Sequence, residues 1–451
     1  MSRFYFYFTI LPLLFSCVIH AQDLVIEPAL PLANQTDYIF RTAAHAQRQA
    51  EFSLSRTQNQ QNWLKSLKVS VGDSAKKAVQ VGGLLHFTGV GLQDRPTALQ
   101  DQDPDYDRRW ERQFYVYRAR VLVGATLSPK TSFFLETELP SIVGQVDASG
   151  QKRTKVSPIL LDAQVEHIFS KYFSVIAGMQ LVGTTRNGLQ SAASLMTLDF
   201  GYFQYPYNLF DNSPLQGNFG RDIGVNFRGF LASERLEYRL GVFAGRRKDA
   251  YSSFRVVGRL NYNFLDKEKD FYYTGTTLGQ GKILAWGAGL DVQDTYANFS
   301  TDIFLDMPVG ESGSVTLNTA FNYMSGGDAA AASSGSFTRL IPRQTIHFLE
   351  LGYYFKKAKL LPYFKYENQI INGTRNQFGL SANASETDLE NANTLASNRR
   401  IGVGLGYFFA DYNANLKLSY EAVGYGRTEL DGNAQQRNRG ELWLQLQFFI
   451  F

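Results

Sequence analysis

One cysteine occurs in 451 residues, Cys17, and it lies inside an apolar run at the N-terminus. A mature chain cut behind that run has none, so disulfide scaffolds, thiol catalysis and cysteine-based metal sites drop out together. Histidine is scarce as well. The five present include His20 of the same run and show no metal-ligand spacing, and His86 and His347 read as wall residues of strands. No Gly-x-Ser-x-Gly motif occurs, and Gly402-Val-Gly-Leu-Gly406 opens no helix. Neither an enzyme nor a cofactor is therefore expected. Asp101-Gln-Asp-Pro-Asp-Tyr-Asp107 spaces carboxylates as a calcium loop does, but it lacks the glycine at the sixth position and has Arg112 where the bidentate glutamate belongs, so no metal is assigned. The net charge of +4 gives no case for nucleic acid as a partner. Behind the first 21 residues no stretch of eighteen apolar residues is found, which excludes helical membrane spans.

What is present begins with Arg3 and the run from Phe4 to Ile19, closed by His20-Ala21-Gln22. This reads as an export signal, residues 1–21, cut after Ala21. A retained helix is opposed by the short run and Pro12, and a lipoprotein signal by Phe15 and Ser16 before Cys17. Residues 22–77 form a polar leader, glutamine-rich from Arg41 onward, expected in the periplasm as a partial helix or a disordered tail.

From residue 78 to 451 the pattern changes to alternation. In the last twelve residues Leu442, Leu444, Leu446, Phe448 and Ile450 share one strand face, with Glu441, Gln445 and Gln447 on the other. The pattern recurs near 79–89, 113–125, 131–139, 158–168, 173–181, 221–232, 236–245, 254–264, 283–291, 297–306, 314–324, 343–355, 360–370, 400–409, 414–424 and 440–451. Sixteen such segments, rich in the chain's 25 tyrosines and 35 phenylalanines, predict an all-β fold: a transmembrane antiparallel β-barrel with lipid outside and water inside. Connections alternate short and long as that topology demands, with two exceptions. Residues 265–282 are long where a turn is due and 292–296 short where a loop is due, so either the count slips there or the barrel is irregular. The longest connection, 182–220, carries Leu195-Met-Thr-Leu-Asp-Phe200 and Tyr202-Phe-Gln-Tyr-Pro-Tyr207. So much apolar surface is expected to fold into the barrel as a constriction loop.

Parity assigns the lumen. Tyr115, Tyr117, Ala119, Val121 and Val123 are read as facing lipid, which turns Arg118 and Arg120 inward; Arg228, Arg239, Arg255 and Arg259 follow by the same rule. Glu136, Glu138, Asp162, Glu166, Asp302 and Asp306 also point inward and are read as an opposing acidic wall. Guanidinium forks suit oxyanions, and at an effective dielectric of ~20 a contact pair at about 4 Å is worth roughly 4 kcal/mol before desolvation. Several weak sites in series favour conduction over trapping. The bland alternative is that neighbouring arginines and glutamates pair merely to brace the wall, Arg118 or Arg120 with Glu136 or Glu138 foremost.

Arg118-Ala-Arg120-Val-Leu-Val-Gly, Leu127-Ser-Pro-Lys-Thr-Ser132, Leu161-Asp-Ala-Gln-Val-Glu166, Arg221-Asp-Ile-Gly-Val225 and Leu236-Glu-Tyr-Arg-Leu-Gly-Val-Phe-Ala-Gly245 resemble the phosphate-selective porin O and P family. The resemblance implies a sixteen-stranded porin in the outer membrane of a Gram-negative bacterium, commonly a homotrimer surrounded by outer-membrane lipid. It also implies an arginine-lined path for small anions such as phosphate. A non-selective porin and a structural or adhesive surface barrel are the other readings the residues leave open.

Overall fold

The computed structural model describes residues 67–70, 78–93, 109–139, 151–152, 158–204, 220–245, 253–294, 296–325, 343–372, 398–425 and 439–451. The export signal, the leader up to residue 66 and the acidic loop Asp101–Asp107 lie outside these residues.

The strands are β1 (Leu67–Ser70), β2 (Ala78–Gln93), β3 (Trp110–Ser128), β4 (Thr131–Leu139), β5 (Ile159–Ser170), β6 (Phe173–Leu181), β7 (Arg221–Leu231), β8 (Leu236–Phe243) and β9 (Arg255–Asn263). They continue as β10 (Ile283–Gln293), β11 (Tyr296–Val309), β12 (Gly313–Ser325), β13 (Arg343–Phe355), β14 (Leu360–Asn372), β15 (Asn398–Ala410), β16 (Ala414–Tyr425) and β17 (Arg439–Ile450). From β2 to β17 each pairs antiparallel with both neighbours, and β17 closes on β2 from Glu441 opposite Leu92 to Ile450 opposite Gly83. The result is a closed sixteen-stranded barrel. Closure removes the sheet edge, so strand backbone can be satisfied in lipid without water. Among the described residues no helix is long and apolar enough to cross a membrane.

Alternation sorts the side chains. Phe114, Ile223 and Val403 are 67%, 57% and 54% exposed outside, whereas Asp302, Gln445 and Gln447 inside are 3% exposed or less. Parity breaks once where the sequence reading relied on it. In the β2–β3 ladder His86 faces Arg118 but Phe87 faces Val116, so Tyr117 is an extra, bulged residue. One inserted residue flips the faces beyond it. Phe114 therefore points outward while Tyr115, 6% exposed, turns inward and Tyr117 reaches an inward segment, correcting the lipid-facing assignment of both tyrosines.

The sheet also starts earlier than expected. The described part of the leader is not helical: Leu67–Ser70 pairs antiparallel with Val81–Ala78. Those four residues of β2 lie beyond Gly83, where β17 ends, and would otherwise present a free edge.

At the end where β2 begins and β17 stops, called here the terminal end, six connections are tight turns. Residues 129–130, 171–172, 232–235, 310–312, 356–359 and 411–413 make them. The seventh is the long stretch 264–282, and the short connection between β10 and β11 belongs to the opposite, loop end. The strand count does not slip; the barrel is irregular there.

Candidate functional site

The interior is built by two chain segments that enter the barrel from opposite ends. Residues 182–204 leave β6 at the loop end and turn inward as the apolar composition predicts; residues 205–219 of the same connection lie outside the described residues. Irregular backbone inside a barrel needs donors and acceptors from the wall. Arg259 Nη1 donates to the Thr184 carbonyl at 2.6 Å, and Lys417 Nζ donates to the Leu195 and Thr197 carbonyls at 2.7 and 2.9 Å. Lys365 Nζ donates to the Asp199 and Phe200 carbonyls at 3.1 and 2.7 Å, while Glu367 accepts from the Tyr202 amide at 2.7 Å.

Residues 264–282 enter from the terminal end. The Tyr273 amide donates to the Leu189 carbonyl at 2.9 Å and the Ser191 amide to the Tyr273 carbonyl at 3.0 Å, so the two segments join like strands in mid-lumen. Arg228 donates to the Lys269 and Asp270 carbonyls at 2.8 and 2.7 Å, Arg239 to the Phe271 carbonyl at 2.8 Å, and Arg186 forks onto Glu268 at 2.7 and 2.6 Å. Together the segments fill much of the lumen, bonded to β7–β9 on one side and to β14, β16 and β17 on the other.

Space remains along the β3–β4 wall as two chambers. The loop-end chamber holds about 1140 Å³ and the terminal-end chamber about 980 Å³, each counting the solvent it opens to. Phe200 borders both; Arg118 and Glu138 line the first, Arg120 and Glu136 the second. The boundary between them, called here the neck, thus lies where the β3–β4 wall faces the Asp199–Phe200 tip of the inward segment. Arg118 Nη2 bonds Asp199 Oδ1 across it at 2.7 Å, and the Tyr117 hydroxyl donates to the other Asp199 oxygen. Burial opposes the Asp199 charge, but the Arg118 guanidinium and Tyr117 hydroxyl outweigh burial and hold the carboxyl below the usual aspartate range.

All six arginines expected in the lumen are there, and each already has a carboxylate. Arg120 bonds Glu136 and Glu138, both at 2.8 Å, and Arg228 and Arg239 share Glu237 at 2.6 and 2.8 Å. Arg255 holds Asp291 at 2.7 Å and Asp222 at 3.2 Å, and Arg259 holds Asp302 at 2.6 Å. Of the expected acidic wall, Glu136, Glu138, Asp162 and Asp302 sit on guanidiniums rather than across an open lumen from them, while Glu166 and Asp306 accept from hydroxyl and amide donors. Asp162 bonds Arg221 at 3.0 Å, Glu166 accepts from Ser174 at 2.8 Å, and Asp306 accepts from the Thr277 amide at 2.6 Å. Gly287 makes one pairing possible: a Cβ there would stand 2.3 Å from Arg259 Nη2 and 2.6 Å from Asp302 Oδ1.

Parity reading missed Arg186, Arg221, Lys365, Arg400 and Lys417, all buried or half-buried inside. Lys417 carried the clearest signal, a lone lysine between Leu416 and Leu418. Asp199 was hidden by the apolar run around it. His86 proves to be a lumen residue beside Arg118, 2.9 Å from Gln447 Oε1 through Nε2.

A closed sixteen-stranded antiparallel barrel with an inward segment narrowing the lumen defines the chain as porin-like in fold. No family model matches it and no curated protein matches its sequence. The resemblance to the phosphate-selective porins therefore rests on the quoted segments alone. Among solved structures, OmpF of Salmonella typhi in complex with daunomycin aligns with a TM-score of 0.52 at 12% identity, covering 85% of this chain and 100% of that one. The outer membrane channel DcaP of Acinetobacter baumannii gives 0.49 at 11% identity, covering 85% and 100%. The anion-selective porin of Comamonas acidovorans gives 0.48 at 8%, covering 83% and 100%. At such identities the OmpF likeness is one of fold.

Proposed function

We propose that the protein is an outer-membrane porin through which small polar solutes diffuse passively, with small anions, phosphate foremost, as the preferred cargo. The observation that carries the reading is the pair of chambers that flank the Arg118–Asp199 contact: Arg118, Glu138 and Phe200 line one, and Arg120, Glu136 and Phe200 line the other. A structural or adhesive barrel has no need of open space on both sides of such a contact. Anion preference rests on Arg118 and Arg120. An oxyanion matches a guanidinium fork as a carboxylate does, so a passing phosphate takes the place of Asp199 on Arg118 and hands it back on leaving. Exchange of partners keeps the site weak enough to conduct. Assembly as a homotrimer, implied by the resemblance, belongs to the same proposal and is checked by native mass spectrometry.

Single-channel recording of the refolded protein tests the function. Chloride current blocked by sub-millimolar phosphate is the expected result. Large conductance without block would leave a general porin, and a folded barrel without any current would overturn the porin reading.

A further inference from the structure

The lumen of a water-filled barrel is expected to be polar, yet the terminal-end chamber is not. Leu84, Leu122, Phe449 and Phe451 all point inward at less than 9% exposure, with Phe134 and Phe200 packed against them. Part of this surface anchors Ala192 and Ala193 of the inward segment. The rest faces about 980 Å³ of space, counting the solvent it opens to. Such an apolar lining with a few polar groups is that of a small-molecule site.

Three observations define the occupant. The rings are arranged edge to face, Phe134 to Phe451 at 6.1 Å and Phe134 to Tyr272 at 6.2 Å, the packing that accepts a further aromatic ring. The charged groups on the chamber wall cancel: Arg120 and Arg221 are set against Glu136 and Glu166, and both arginines hold Glu136 at 2.8 and 3.3 Å. An ion passing through finds no unpaired countercharge on which to lodge, whereas an uncharged ligand leaves those pairs intact. Finally, Gln164, 7% exposed and lining the chamber, has a buried Oε1 with no hydrogen-bond donor. A buried acceptor left without a donor costs free energy that a ligand hydroxyl would recover.

We propose that the terminal-end chamber is a binding site for a small, uncharged aromatic molecule bearing a hydroxyl group, its ring among Leu122, Phe134 and Phe451 and its hydroxyl donating to Gln164. The inference rests on the porin reading for its purpose, since the chamber lies on the proposed passage, but binding itself does not depend on conduction.

The full chain refolded into lipid nanodiscs would be titrated with para-cresol, toluene and benzoate by calorimetry, with empty nanodiscs as blank, and the same compounds added during single-channel recording. Para-cresol is expected to bind at least about tenfold more tightly than toluene, the scale of one buried hydrogen bond, and more tightly than benzoate. Gln164→Leu should erase the advantage of cresol over toluene, and Leu122→Asn should weaken both. Current without cresol binding at millimolar concentration overturns this site and leaves the porin. Cresol binding without current does the reverse. Tighter binding of benzoate than cresol, or an unchanged cresol-to-toluene ratio in Gln164→Leu, also overturns the proposal.

Discussion

Arg118 on the barrel wall and Asp199 at the tip of the inward segment meet at 2.7 Å, and their bond spans the gap between the two chambers. The pair is at once a structural tie and a charge at the neck. Replacing Asp199 by Asn removes one negative charge from a set containing Arg118, Arg120, Glu136 and Glu138, and loosens the tip. The expected outcome is higher conductance, by up to about twofold, with the reversal potential in a salt gradient shifted toward anions. Unchanged conductance and reversal potential would remove this pair from the neck.

The same pair sets an acid limit. Asp199 titrates below the usual aspartate value in the folded protein, so its tie is fully present above that value and is lost as pH falls through the lowered one. Current should therefore be steady from neutral pH down to about 4, near the usual aspartate value, and become larger and noisier only in more acid solution. Asp199→Asn should show the acid behaviour already at pH 7. Single-channel noise recorded between pH 7 and pH 3 checks both statements.

Strand positions were legible because lipid on one side and enclosed space on the other impose a period of two on nearly every stave. The bulge at Tyr117 escaped because one extra residue changes no composition, only register, and its signature is the flanking pair Phe114 and Tyr115, both aromatic. The inward course of 182–204 was legible from Leu195–Phe200, too apolar to stay outside. The second inward segment, 264–282, was not: the sequence shows only a connection too long for a turn, and its charged run Lys267, Glu268, Lys269 and Asp270 is explained only by the wall. Arg228 and Arg239 bond its carbonyls and Arg186 its Glu268, while Lys269 Nζ reaches Glu234 on the neighbouring turn at 2.5 Å. Pairing is likewise invisible to parity, which says that Arg259 points inward but not that Asp302 is already on it.

The Arg259–Asp302 pair predicts a large stability effect. Both side chains are 1% exposed, with two hydrogen bonds at 2.6 and 2.9 Å. Asp302→Ala leaves a buried guanidinium uncompensated, at a cost of about 3–5 kcal/mol. Gly287→Val should reproduce much of that loss without touching either charge, because its side chain would occupy the space of the guanidinium. Equilibrium urea unfolding of the refolded barrels measures both. A loss under about 1 kcal/mol in either variant would contradict the packing described here.

The last prediction concerns the second inward segment, which hangs on one carboxylate. Glu237 holds Arg228 at 2.6 Å and Arg239 at 2.8 Å, and accepts from the Tyr273 hydroxyl at 2.6 Å. Those two guanidiniums in turn orient the carbonyls of Lys269, Asp270 and Phe271. In Glu237→Gln the arginines lose the charge that fixes them, and residues 264–282 should leave the wall before any strand melts. Amide hydrogen exchange in that stretch is expected to accelerate by at least about tenfold, the equivalent of roughly 1.4 kcal/mol of local opening, while amides of β13 and β14 keep their protection. Conductance should fluctuate on the timescale of segment motion, because Tyr273 is bonded to Leu189 and Ser191 and a loosened partner frees the neck segment as well. Uniform acceleration across all strands would instead mean that Glu237 supports the barrel as a whole and that the segment has no separate stability.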